Sequence, residues 1–506
     1  MMVSPGRGSR VERITMSVLE LPATKIFCFM QWMLKLRVSR KEAKFAPLRE
    51  TLFVYLLIRI TQPLLMHSKK IVAWALIMAL GGFLFGFDTA VISGAEQSIQ
   101  KYWNLDKFQH GLTVAIALIG TVIGALIGGI PADRLGRKNT LIIIAALYFF
   151  SSIGTALATN WYLFLLFRLL GGLGVGASSV TAPIYISEIA PAASRGRLVA
   201  LFQLNVVLGI LIAYFSNWVI GTTHENSWRW MLGVQAIPSL AFFLLMRIVP
   251  ESPRWLILKG KKPDEARRTM QIIDPVGFEK DLAEIKETTA RQSGQPSQPL
   301  FSKANMRPVL LAICFAFFNQ VSGINAIIYF APRIFEMSGL GENASLLSSV
   351  GIGLVNFLFT LLAINFIDRF GRRSLMLIGS LGLIATLGMA SYAFYHSQSG
   401  WSVIAALLIY IAFFAFSQGA VIWVFLAEIF PNQVRAKGQS LGSFTHWIMA
   451  AAITFTFPYF AENYGGGPIF LFFCSMMVLQ LIFVLKFMHE TKGKSLEQLE
   501  HQLVVH

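Results

Sequence analysis

Apolar runs of about twenty residues, separated by short polar connectors, dominate this chain from Ile71 onward. Twelve such runs are read at 71–93, 109–130, 139–158, 161–186, 198–220, 228–249, 308–335, 344–367, 374–396, 402–427, 438–460 and 466–488. At ~1.5 Å rise per residue each is long enough, as a helix, to cross a hydrocarbon core ~30 Å thick. Helix is the form expected, because backbone groups in lipid must find their partners inside the segment. The pattern predicts an all-α integral membrane protein. Residues 1–66 differ: they are rich in Arg and Lys, and their one apolar piece, Leu52 to Leu65, is short and interrupted by Arg59 and Pro63. They are expected to be a cytoplasmic, poorly ordered extension or an artefact of start-codon choice, with the functional chain beginning near Met66. No cleavage site for a signal peptide follows them.

Composition agrees. Over 506 residues, 55% are hydrophobic and 14% charged, against ~25% charged in a soluble domain. The net charge of +17 invites a nucleic-acid reading, but no basic helix with interleaved aromatics stands out. The cations gather instead in the loops after spans 2, 4, 8 and 10: Arg134, Arg137 and Lys138; Arg195 and Arg197; Arg369, Arg372 and Arg373; Arg435 and Lys437. By the positive-inside bias those loops are cytoplasmic, as are both termini. Cys28, Cys314 and Cys474 are scattered and define neither a disulfide framework nor a metal site.

The segment 250–307, between spans 6 and 7, is the one long polar insertion and is cation-rich, hence cytoplasmic. Pro263–Met270 and Phe278–Glu287 read as short amphipathic helices and Gln292–Pro299 as a linker. After the last span, Ser495 is a candidate cap for a tail helix. The two halves repeat. Asp133-Arg-Leu-Gly-Arg-Lys138 returns as Asp368-Arg-Phe-Gly-Arg-Arg373, and Ser187-Glu-Ile-Ala-Pro191 returns as Ala427-Glu-Ile-Phe-Pro431. Two independent motifs at nearly one offset imply a parallel six-plus-six repeat rocking about a midplane site: bundles at 67–249 and 308–490, with a tail at 491–506.

Two charges sit deep in apolar runs, Asp88 in span 1 and Arg168 in span 4. A carboxylate there is expensive in lipid, so it should face a cavity and have a partner. Asp88 and Arg168 are read as a pair that couples transport to an energy source. At the loops, Glu188 and Glu428 end their spans beside the cations, with Arg134 and Arg369 as expected partners. Asp133, Arg195, Asp368 and Arg435 complete a candidate gate. Gly171-Gly-Leu-Gly-Val-Gly176 lies within a span with no preceding strand, so it is read as packing rather than a nucleotide loop. Gly120, Gly124 and Gly128 form a small-residue packing face. His446 could face the cavity or simply pack, and packing is the favoured reading; Asn343-Ala-Ser345 matches a glycosylation sequon. No nucleophile–base set, metal cluster or cofactor loop appears, which excludes an enzyme reading.

Taken together, the motifs resemble the major facilitator superfamily and, within it, the sugar porter family, from about Ile71 to Leu499. The resemblance is carried by Gly86-Phe-Asp88, both Asp-Arg-x-Gly-Arg-[Lys/Arg] loops, Tyr185-Ile-Ser-Glu188, Pro250-Glu-Ser-Pro-Arg-Trp255 and Gln320-Val-Ser-Gly-Ile-Asn325. Trp423 with Ala427-Glu428, and Glu490-Thr-Lys-Gly-Lys494, extend it. The chain is similar to bacterial xylose-, arabinose- and galactose-type proton symporters. Neutral, hydroxyl-dense solutes need amides that both donate and accept, and aromatic faces for their C–H surfaces. The resemblance places Gln203, Gln320, Asn325, Asn356 and Trp423 on sugar-contacting positions, with Asn319, Phe85, Tyr329, Gly419 and Trp447 nearby. Asn319 stands where a second glutamine is common, and Gly419 lacks the proline that often follows. Passive glucose carriers of the family have Asn in place of Asp88. The resemblance therefore implies proton symport of a pentose, hexose or polyol by a functional monomer in the plasma (inner) membrane. A passive facilitator and a non-transporting sugar sensor are the alternatives; sensors tend to carry long signalling tails, whereas this sequence stops soon after Leu499.

Overall fold

The structure is a computed structural model that describes residues 69–492 apart from 192–194, 222–223, 225, 261, 276, 280–281, 284–298, 399 and 432–433. The extension 1–66, most of Phe278–Glu287 and of the linker Gln292–Pro299, the tail with Ser495, and the side chain of Asp368 lie outside the described residues. Helices account for nearly all the rest, and no strand occurs among the described residues.

In chain order they are α1 (Lys69–Tyr102), α2 (Lys107–Ile127), α3 (Gly129–Leu135), α4 (Arg137–Leu157), α5 (Trp161–Ile189), α6 (Arg195–Ile220), α7 (Ser227–Gly233) and α8 (Ala236–Leu245). Two helices of the central segment follow, α9 (Pro253–Leu258) and α10 (Pro263–Ile273). The second half comprises α11 (Met306–Val321), α12 (Ile324–Tyr329), α13 (Ala331–Met337), α14 (Glu342–Phe370), α15 (Arg372–Tyr395), α16 (Gly400–Phe416), α17 (Gln418–Glu428), α18 (Arg435–Tyr464) and α19 (Gly466–Phe487). Among the described residues, 11 helical stretches are long and apolar enough to cross a bilayer. Helix α18, at the position of the eleventh run, is continuous, but Lys437, Gln439, His446 and Thr445 dilute its apolar character.

Local chemistry explains several boundaries. Asp106 caps α2 through a reciprocal box with Gln109, each side chain bonding the other's backbone N–H. Asn160 accepts from the Leu163 N–H at 2.9 Å to start α5. Span 1 runs further than the apolar run suggested, to Tyr102, which brings Glu96 inside the helix. Span 7 breaks at Ser322-Gly323, where Gly323 has φ +87° and a Cβ would lie 2.5 Å from the Phe473 ring, so only glycine fits. The Ser322 carbonyl released by the break accepts from Tyr410 Oη at 2.9 Å, as a freed backbone group inside a membrane bundle must.

Packing within the first half is led by α1 on α6 and α2 on α5; in the second, by α15 on α19 and α15 on α16. The small-residue face predicted from sequence meets α5: a Cβ on Gly124 would lie 2.3 Å from the Leu173 carbonyl, and one on Gly176 2.1 Å from that of Thr121. Both glycine motifs thus serve close helix approach. The halves join chiefly through α2 against α18 and α6 against α14, with smaller contacts of α1 on α12 and α13.

Candidate functional site

Asp88 and Arg168 meet. Arg168 Nη1 donates to Asp88 Oδ1 at 2.7 Å, with residue exposures of 3% and 1%. Arg168 Nε and Nη2 have no hydrogen-bond partner among the described residues, so one guanidinium edge is uncommitted there. Tyr329, from α12 in the other half, lies within electrostatic reach of both charges. Removing either partner would leave a buried charge uncompensated.

A second polar group forms where α11 ends. Gln320 Nε2 donates to Asn319 Oδ1 at 2.9 Å, and Asn325 Nδ2 donates to Gln320 Oε1 at 2.5 Å across the helix break. His446, from α18, lies with its two ring nitrogens 3.1 and 3.2 Å from Gln320 Nε2. Its ring contacts Trp423 and Trp447 at centroid distances of 4.9 and 4.7 Å, and Phe85 packs on Trp447 at 5.4 Å. Trp423 is 36% exposed, an open aromatic face beside buried amides. His446, expected to pack, contacts the amide Gln320 and both tryptophans. The structure therefore gathers Asn319, Gln320, Asn325, Trp423, Trp447 and Phe85. Asn356 is buried with Thr360 Oγ1 3.5 Å from its Oδ1. Half-buried Gln203 and Gly419, like Asn356, stand outside that hydrogen-bonded group.

The cation-rich loops correct the expected gate pairs. Glu188 pairs with Arg137 (Nε to Oε2, 3.0 Å), not Arg134, and Glu428 pairs with Arg372 (Nη2 to Oε1, 2.9 Å), not Arg369. Arg134, Arg195 and Arg369 are exposed. Asp133 bridges Arg137 at 3.1 Å, and Arg435 donates to the Phe430 carbonyl at 3.3 Å rather than to a carboxylate. Gly136 and Gly371 turn the chain immediately before these arginines, at φ +94° and +84°. The helices that start there have no local side-chain cap. Distant glutamates supply it. Glu251 accepts from the Arg137 and Lys138 N–H groups at 3.0 and 3.2 Å, and Glu490 from those of Arg372 and Arg373 at 2.8 and 3.1 Å. Carboxylates at helix N-termini complement both the free N–H groups and the dipole. Burial, the largest influence, still holds the Glu251 carboxyl above its ordinary 4.5; the N–H donors of Ser252, Lys138 and Arg137 oppose this only in part.

The neighbours repeat as well. Ser252 Oγ donates to Glu188 at 2.5 Å and Thr491 Oγ1 to Glu428 at 2.6 Å. Lys138 Nζ reaches the Arg247 carbonyl at 2.8 Å, and Arg373 Nη2 that of Leu485 at 2.9 Å. Tyr185 Oη donates to the Pro250 carbonyl. Among the described residues, each cluster ties one half to the segment just beyond it. Pro250–Trp255 and Glu490–Lys494 thus have a capping role that motif matching alone does not give them; two helices starting after glycine, with no Ser, Thr, Asp or Asn to cap them, are the signal that points to it.

The family model for sugar (and other) transporters covers residues 74–503. The chain belongs to the sugar porter family. This porter is 38% identical over 432 residues to a D-xylose transporter of Levilactobacillus brevis, covering 84% of this chain and 94% of that one. To the D-xylose-proton symporter of Escherichia coli K12 it is 35% identical, over 86% of this chain and 96% of the relative. Among solved structures, the inward-open xylose transporter XylE from E. coli superposes with a TM-score of 0.77 at 33% identity, covering 86% of this chain and 100% of that one. The XylE complex with 6-bromo-6-deoxy-D-glucose gives 0.72 at 34% identity, over 86% of this chain and 100% of that one. This porter is thus an integral membrane protein of the major facilitator fold and a sugar transporter, not an enzyme.

Proposed function

We propose that this sugar porter imports a monosaccharide (pentose, hexose or polyol) together with a proton, by alternating access. Asp88 carries the proton, and Asn319, Gln320, Asn325, Trp423 and Trp447 grip the solute, with Phe85, Tyr329, Gln203, Asn356 and Gly419 around them. The observation that carries the coupling is the buried 2.7 Å Asp88–Arg168 contact with Tyr329 of the other half beside it. Burial favours the neutral carboxyl and the guanidinium favours the anion. A cycle that alternately wets and dries this pocket changes which influence wins, and so loads and releases one proton. Moving one charge through 100 mV is worth ~2.3 kcal/mol, enough for a roughly fifty-fold gradient. Symport named for several relatives supports the same reading, as does the positive-inside bias for a topology with both termini cytoplasmic. Each six-span bundle (67–249 and 308–490) moves as a unit, and a monomer suffices.

The test is Asp88→Asn in sealed proteoliposomes. Accumulation driven by a pH gradient should vanish while sugar counterflow persists. Undiminished accumulation would refute the coupling role and leave a passive facilitator. A panel of labelled pentoses, hexoses and polyols identifies the solute.

A further inference from the structure

A third charged cluster lies at the end opposite the cationic loops. Glu96 (α1) and His110 (α2) are both 0% exposed, their side chains 2.7 Å apart. Both belong to the first half. Arg333, on the short helix α13 of the second half, donates from Nε to Glu96 Oε1 at 3.0 Å and from Nη2 to Gln100 Oε1 at 2.5 Å. Its Nη1 is 3.4 Å from Glu462 Oε1 on α18. Further contacts across the same seam flank it: Gln97 Nε2 to Glu336 Oε2 at 3.0 Å, and Lys107 Nζ to Asn463 Oδ1 at 2.7 Å and Glu462 Oε2 at 3.7 Å. Below, Phe330 stacks on Phe457 at 4.8 Å and sits 6.3 Å from the His110 ring.

The division of partners is the informative part. His110 stays with Glu96 whichever way the halves move, whereas Arg333 arrives from the other half. A fully buried carboxylate that loses its partner costs several kcal/mol unless water or another group replaces it. His110 is a resident neighbour, its Nε2 2.7 Å from Glu96 Oε2, so the pocket keeps a polar contact to Glu96 when Arg333 leaves. Gln97, Gln100, Glu336, Glu462 and Lys107 complete the polar rim, and each has a partner here.

We propose that Glu96 and His110 form a receiver into which Arg333 docks to close the extracellular end, and that undocking of Arg333 precedes outward opening. The proposal rests on the alternating-access reading above. Arg333 and Glu96 act as positioning residues: they touch neither solute nor proton carrier, but set how much of the protein faces outward. Because the apparent dissociation constant scales inversely with the competent fraction, loosening the latch should strengthen the apparent affinity for external sugar while slowing turnover at the closing step.

The experiment uses spin labels at Lys101 and Ala344, exposed positions of the two halves at this end, in the full-length protein in nanodiscs. Glu96→Gln and Arg333→Gln should each shift the distance distribution toward longer separations. The external half-saturation constant should fall about threefold or more, with a lower maximal rate. The double exchange Glu96→Arg with Arg333→Glu should return the distances toward wild type. If Glu96→Gln fails to fold, Arg333→Gln, nearer the rim, carries the same expectation. Unshifted distances in a folded Arg333→Gln protein overturn the latch. Wild-type labels that do not move on adding sugar overturn alternating access itself, so the two failures are distinguishable.

Discussion

The two ends of the bundle use the same chemistry for opposite purposes. At the cationic end, Arg137–Glu188–Glu251 and Arg372–Glu428–Glu490 are near copies, each joining, among the described residues, one half to the end of its last span or the segment just beyond it. At the other end a single unrepeated cluster, Glu96–His110–Arg333, straddles the seam. Ion pairs inside a half fasten its own helices; an ion pair across the seam biases the angle between halves. Counting salt bridges would miss this, because what matters is which rigid body owns each partner.

The largest effects are expected where the internal clusters meet the backbone. Gly136→Ala and Gly371→Ala would place a Cβ 2.2 Å from Glu251 Oε2 and 2.5 Å from Glu490 Oε2, at φ values that L residues rarely adopt. Strain of about 1–3 kcal/mol, added to the lost cap, should sharply reduce the yield of folded, monodisperse protein after detergent extraction. Wild-type yields would mean that the distant carboxylates do not cap these helices.

A double-mutant comparison sharpens the contrast further. Melting-temperature shifts of Arg137→Gln and Arg372→Gln should add, as expected of separate sites that agree within about 0.5 kcal/mol. Glu96→Gln and Arg333→Gln should not add, with an interaction of about 1–3 kcal/mol. Strong coupling between Arg137 and Arg372 would show that the cationic end also joins the halves.

The smallest effect concerns pH. Burial raises the Glu251 carboxyl above 4.5 in the folded protein, so its protonated form is favoured by folding. Its contribution is complete below the unfolded value and is lost as pH rises through the folded one. Compared with Glu251→Gln, the wild type should therefore lose melting temperature between pH 4 and pH 7. An opposite slope would show that the helix N–H donors outweigh burial.

Much of the architecture was legible in the sequence because a bilayer imposes one length and one composition on every span. The repeat was legible because its motifs are local. The gate partners were not. Arg134 and Arg137 share one loop, remote in sequence from Glu188, and the turn between them at Gly136 with φ +94° resets the helical phase, so periodicity cannot tell which of them points inward. Glu251 and Glu490 act on helices more than a hundred residues away, a distance no pattern spans. Glu96 escaped because the first run was ended at 93, where hydropathy fades, while the helix continues to Tyr102. The logic applied to Asp88, an ionised group inside a span in need of a partner, would have reached it. Asp88–Arg168 itself was readable, since so few charges lie that deep.

The interruption at Ser322-Gly323 has a broader meaning. Beyond it, one short piece of chain carries Asn325, Tyr329 and Arg333 in succession. These touch the amide group, the neighbourhood of the buried acid and the outer cluster respectively. With the spare carbonyl of the break held by Tyr410, the chain can leave the helical path here at no cost in unpaired backbone and bring all three groups onto one stretch of the second half.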